Sequence, residues 1–257
     1  MENSELKSIG NSAFGKVPIE CLSIPSCVVN FSERWCNETS KLNFVDVMPC
    51  KDKNITVYNN NLILGKSDNK SDVFDDLLFA CRNIRRVIVP PFIKRIKSMS
   101  FSECIKLKSI EFANYSELIS IEKRAFCSSS LKSISIPKYV KIIDDFAFSI
   151  CMKLIRIDLN ENTELTEIGT NVFSFTSIKS FSIPIKVTKI GDYAFTNCRS
   201  LKIVEIPENF KLKTIKKELF NCSPNVMVMI PTKMRDILHL ETSTQKPQKN
   251  VGNFNFL

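Results

Sequence analysis

In residues 131–136, LKSISI, apolar and polar positions alternate, and the alternation stops at Pro137. A period of two marks a strand with one buried face, so Ile134 and Ile136 point inward and Ser133 and Ser135 outward. Proline donates no ladder hydrogen bond and ends the strand. The stretch that follows, VKIIDDFAF, needs a second turn of chain. Val140 and Ile143 are three apart, Phe148 supplies a large interior ring, and Ala147 lets neighbouring backbones approach. The same order returns in LKSIEFANYSELISIEKRAF, LIRIDLNENTELTEIGTNVF and IKSFSIPIKVTKIGDYAF.

Units begin at Ile19, Leu42, Ile84, Leu107, Leu131, Leu154, Ile178, Leu201 and Asn225, with spacings of 23, 42, 23, 24, 23, 24, 23 and 24. The 23-residue kind carries a proline after its apolar pair (Pro25, Pro90, Pro137, Pro184, Pro231). The 24-residue kind has a polar connection instead, FANYSEL or LNENTEL, and Ile206-Pro207 is a hybrid. The full period is therefore a pair of about 47 residues. One unit cannot enclose its own apolar row, whereas stacked units form continuous ladders of Ile, Leu and Phe. Residues 1–240 read as one solenoid of about nine such units, and the polar 241–257 as a disordered tail. Exposed apolar ends predict end-to-end self-association unless terminal segments cap them.

The 42-residue spacing holds an insert of about 18 residues, with irregular sequence over about 48–78. Within it ITVYNNNLIL (55–64) predicts a β-hairpin protruding from the solenoid, because asparagine tolerates the positive φ of a tight turn. SDVFDDLLFAC (71–81) opens with Ser/Asp and acidic residues and predicts a short helix, after which Phe79 resumes the phenylalanine ladder.

LKSISIPKYVKIIDDFAFSICMKL and IKSFSIPIKVTKIGDYAFTNCRSL resemble the BspA-like leucine-rich repeats, also called the Treponema pallidum type. The resemblance covers most of 80–231 and, more loosely, 5–50. It implies a leucine-rich-repeat solenoid, mostly β or α/β, coiled right-handed and curved, with a parallel sheet on one face. It also implies a non-enzymatic binding role as a surface antigen or adhesin, with no catalytic residues, cofactor or metal.

Composition narrows the alternatives. Net charge is +9, and the one dense basic cluster is Arg82, Arg85, Arg86, Lys94, Arg95 and Lys97. No aromatic stacking platform accompanies it, so it reads as a solvated face and no nucleic acid is expected. A single histidine, His239, removes most chemistry that needs imidazole and reads as an ordinary surface or cap side chain. Cys104, Cys151 and Cys198 recur three places after the ladder phenylalanine, with Cys81, Cys127 and Cys222 nearby, and read as small buried side chains. Cys21, Cys27, Cys36 and Cys50 are less regular and could pair in an oxidising compartment. Asp75-Asp76 and Asp144-Asp145 are sequence neighbours, poorly placed as an acid/base dyad, and read as solvated.

The fragment Gly65-Lys66-Ser67 suggests a phosphate loop and hence a nucleotide-binding enzyme. The loop needs a glycine five places earlier, and Asn60 stands there. Neither a basic-then-apolar leader nor an apolar run of about 18 residues is present, so no signal peptide or membrane span is expected. Two readings remain open: a surface recognition module for a protein or other macromolecule, and an intracellular scaffold of the same fold. In both, the outward strand positions are the expected partner-binding face: Arg86, Ile88, Ser109, Glu111, Ser133, Ser135, Arg156, Asp158, Ser180, Ser182, Ile203 and Glu205. That row is rich in serine and has no aromatic stripe.

Overall fold

The computed structural model describes residues 4–208, 210, 214–223, 226–230, 239–241 and 255–256, with backbone alone for 214–217, 239–241 and 255–256. Each coil of the solenoid has three sides. One side carries the wider strands: Cys21–Pro25, Phe44–Met48, Arg86–Val89, Ser109–Phe112, Ser133–Ile136, Arg156–Leu159, Ser180–Ser182, Ile203–Glu205 and Met227–Met229. A second side carries two-residue strands such as Arg95–Ile96, Ser120–Ile121, Ile142–Ile143, Glu167–Ile168 and Lys189–Ile190, which run as one parallel ladder. The third side is a stack of turns around each Ala-Phe pair. Phe146 and Ile150, at φ 58 and 61, bracket one such turn, and Arg124 with Ser128 and Asn171 with Phe175 repeat the pattern. The turns are tied coil to coil: Phe126 N–H donates to Ala147 O at 2.8 Å, and Phe148 N–H to Val172 O at 2.9 Å. Among the described residues the regular helix is the 3-10 turn Lys217–Phe220.

The wider strands pair in parallel twos, each a proline-type coil with the polar-type coil after it. Arg86–Val89 pairs with Ser109–Phe112, and Ser133–Ile136 with Arg156–Leu159. Between Ser109–Phe112 and Ser133–Ile136 the ladder is open. The proline explains part of this. Ala113 N–H donates to Val89 O at 3.2 Å across a pair. Pro137 occupies Ala113's position in the next coil and has no N–H to offer Phe112. After the hybrid Ile206-Pro207 coil the ladder runs on, Ile203–Glu205 pairing with both Ser180–Ser182 and Met227–Met229.

The core is a ladder of phenylalanines. Phe101, Phe126, Phe148, Phe173, Phe195 and Phe220 follow one another with ring centroids 5.0, 5.1, 5.9, 5.5 and 5.7 Å apart. Phe79 does not join it. Its ring lies 5.4 Å from Trp35 in a separate N-terminal cluster. The Arg82 guanidinium stacks over Phe79 at 4.3 Å, so a buried cation stands where the two clusters meet.

The hairpin is present but does not protrude. Ile55–Tyr58 and Leu62–Gly65 pair antiparallel around a three-residue loop, with Asn59 and Asn60 at φ 48 and 58. Leu62–Gly65 then pairs antiparallel with Asp76–Ala80, so the hairpin adds two strands to the narrow-strand sheet. Leu62, Ile63 and Leu64 are each 1% exposed. The helix expected over 71–81 is instead the strand Asp76–Ala80, because it pairs along one edge with Leu62–Gly65 and, at Asp76 and Leu77, on the other with Arg95–Ile96. Asn225 and most of the expected tail over 241–257 lie outside the described residues. Asn255–Phe256 runs parallel to Met227–Val228.

Candidate partner-binding face

Two features that drew attention in the sequence have structural explanations. Gly65 lies so close to the next strand that a Cβ there would meet Leu78 Cδ1 at 2.7 Å. Lys66 sits over the Phe74 ring at 5.3 Å, and Ser67 donates from both its amide (2.9 Å) and its hydroxyl (2.8 Å) to Asp75. Within the basic cluster Arg85 and Arg86 are exposed, as a solvated face requires, but the other four are held by partners. Arg82 is 2% exposed and donates to Ala80 O and Ser100 O at 3.3 and 3.0 Å. Lys94, Arg95 and Lys97 are paired with Asp75, Asp76 and Glu122. Asp75 and Asp76 are likewise buried, not solvated, because these cations and Ser67 compensate their desolvation. Burial opposes ionisation of Asp75, yet the Ser67 hydrogen bonds outweigh it and hold the carboxyl below its ordinary range.

The recurring thiols are donors as well as fillers. Cys151 Sγ–H donates to Phe126 O at 3.0 Å and Cys198 Sγ–H to Phe173 O at 2.9 Å, each bridging to the preceding coil. Burial pushes Cys151 up to about 12 and Cys198 up to about 11, so both stay protonated and unreactive at neutral pH. Cys222, expected to be buried, is exposed. Among the described residues no group of three or more His, Cys, Asp or Glu is arranged to hold a metal ion.

The twelve outward strand residues lie on the wide-strand side, exposed or half-buried. The broken ladder divides them into three groups: Arg86, Ile88, Ser109 and Glu111; Ser133, Ser135, Arg156 and Asp158; and Ser180, Ser182, Ile203 and Glu205. Much of their polarity is spent within the groups. Arg156 Nε lies 3.0 Å from Asp158 Oδ2, and the Ser182 hydroxyl donates to Glu205.

The junction between Ser109–Phe112 and Ser133–Ile136 is open. A groove of about 520 Å³ lies there, walled by Glu111 and Phe112 on one side and by Ser135 and Pro137 on the other. Tyr115 and Tyr139 flank it, each eight places after the leucine that opens its coil. Tyr115 is 94% exposed, at φ 61, and Tyr139 is 52% exposed with Lys138 Nζ 5.2 Å from its ring centroid. A tyrosine ring left in water contributes nothing to a core, whereas burying it on association recovers a large apolar area. The tyrosine repeats in the sequence, but it falls just beyond the strand positions that form the outward row.

The sequence pattern of the BspA type leucine rich repeat region matches the chain in six copies, over residues 2–65, 72–198 and 166–239. No curated protein sequence matches. The fold is similar to that of the pneumococcal vaccine antigen PcpA, at 18% identity and TM-score 0.63 over 93% of this chain and 59% of that one. It is also similar to a leucine-rich repeat protein from Eubacterium ventriosum, at 19% identity and TM-score 0.69 over 96% of this chain and 60% of that one. The chain thus spans about three fifths of the length of each.

Proposed function

This chain belongs to the BspA-type leucine-rich repeat family, and from that premise we propose that it is a non-enzymatic protein-binding solenoid of surface-antigen or adhesin type. Its partner docks on the wide-strand side, centred on the groove between Tyr115 and Tyr139. The observation that carries this reading is the pair of exposed tyrosines on consecutive coils, beside a gap in the ladder. Interface hot spots are enriched in tyrosine and arginine and cluster around such pockets. The strand rows to either side, Arg86 to Glu111 and Ser133 to Asp158, supply the polar rim. The description of the similar pneumococcal protein as a vaccine antigen agrees with a surface role.

The test is binding to an array of purified secreted and matrix proteins, followed by titration of each hit. Tyr115→Ala combined with Tyr139→Ala should weaken a genuine partner by about 100-fold, since each hot-spot truncation costs about 1.4 kcal/mol or more. The melting temperature should not change, and Phe175→Ala, exposed on the turn side, should bind as wild type. Equal affinity of the double variant for every hit refutes the reading.

A further inference from the structure

Cys27 and Cys50 stand two places beyond the paired residues Pro25 and Met48 of adjacent coils. The chains stay side by side past the strand ends. Ser26 N–H donates to Met48 O at 2.8 Å, and Cys50 N–H donates to Ser26 Oγ at 2.9 Å. The two thiols lie close enough for each to influence the other's ionisation. Neighbouring parallel strands hold backbones about 4.8 Å apart, as at Pro25 and Met48, and the Cys50 N–H bond to Ser26 keeps residue 50 beside the turn that holds Cys27; disulfides span Cα separations of about 4.4–6.8 Å. Cys50 is half-buried and reachable by a small reagent, whereas Cys27 is buried.

The other buried thiols have different neighbours. Cys36 and Cys104 each contact the Arg82 guanidinium, at 3.6 and 3.7 Å. We infer that Cys27 and Cys50 are an oxidation site, and that they form a disulfide joining the first two coils on exposure to a small-molecule disulfide such as oxidised glutathione.

The Cys50 thiolate attacks one sulfur of the reagent and expels a thiolate, which takes up the proton Cys50 released. Cys27 then loses its proton and attacks the Cys50 sulfur, and the second reagent thiol leaves carrying that proton. Two protein thiols are oxidised, and one small disulfide is reduced to two thiols. Burial works against the Cys50 thiolate, but hydrogen bonds from Cys27 and Ser26 outweigh it and lower its pKa. This suits Cys50 to the attacking role. Burial raises the Cys27 pKa, which suits that thiol to the second step, delivered by proximity. The cross-link gives up the bonds from Cys27 Sγ–H to Ser4 O at 3.2 Å and to Leu6 O at 3.5 Å.

The full chain is incubated in glutathione buffer weighted to the oxidised form, alkylated, digested without reduction and mapped by mass spectrometry. The expected product links the peptide holding Cys27 to the one holding Cys50, with fragmentation assigning the bond to Cys27 and not to Cys21 on the same peptide. The oxidised protein should melt about 5 °C or more above the same sample in dithiothreitol, and Cys50→Ser should abolish both effects. Full alkylation of both cysteines, a stable glutathione adduct on Cys50, or linkage to any other cysteine overturns the proposal. The mapping uses the unmodified chain, so it does not depend on the variant folding.

Discussion

Phe148 is fully buried, 5.1 Å from the Phe126 ring and 5.9 Å from that of Phe173. Removing it leaves a gap whose walls are rings held by their own coils, so the site cannot collapse. Phe148→Ala should destabilise by about 3–5 kcal/mol. Phe195, which touches Phe173, Phe181 and Phe220, should cost as much, and matched thermal melts without loss for either would contradict the ladder. These residues were legible in the sequence because their spacing repeats. Arg82 was not. Arg85 and Arg86 follow it closely in sequence, yet it turns inward to three carbonyls, two sulfurs and the face of Phe79. A residue's charge sets the cost of burying it, but only the fold supplies the partners that offset that cost. Tyr115 and Tyr139 escaped notice for another reason, since a ring's exposure depends on where the strand stops.

Of the elements, the alternating strands were readable because one buried face imposes a period of two. The hairpin's position was readable from Asn59 and Asn60, which adopt the positive φ the turn requires. Its destination was not. An apolar run such as Leu62–Leu64 suits an exposed arm or a buried strand equally, and pairing with Asp76–Ala80 decides between them. The same pairing overrode the helix signal of the Ser-Asp start, because a strand buried between partners outweighs a local cap. Deleting residues 55–64 therefore removes Ile55, Leu62, Ile63 and Leu64 from the core. At about 1.5–3 kcal/mol each, their loss rivals a typical total stability of about 5–15 kcal/mol. The shortened chain should lose its cooperative melt and near-ultraviolet circular dichroism, and retention of both would show the hairpin to be dispensable.

From Cys21 to Leu159 the wide strands pair so that each proline-type strand leads a polar-type strand, with Pro137 and Pro184 contributing to the open junctions, whereas Ile203–Glu205 pairs on both sides. Removing residues 131–177 takes out one complete pair and rejoins a polar-type coil to a proline-type one. Removing 131–153 alone sets two polar-type coils side by side, a junction the described coils do not use. The longer deletion should lower the melting temperature less than the shorter one, and the reverse order would reject pairing as the organising unit. Duplication and loss of gene segments are then filtered in steps of two coils. An insertion of one coil arrives with a mismatched seam, whereas an insertion of two is compatible on arrival. Arrays of this kind can lengthen across generations without any other residue having to change.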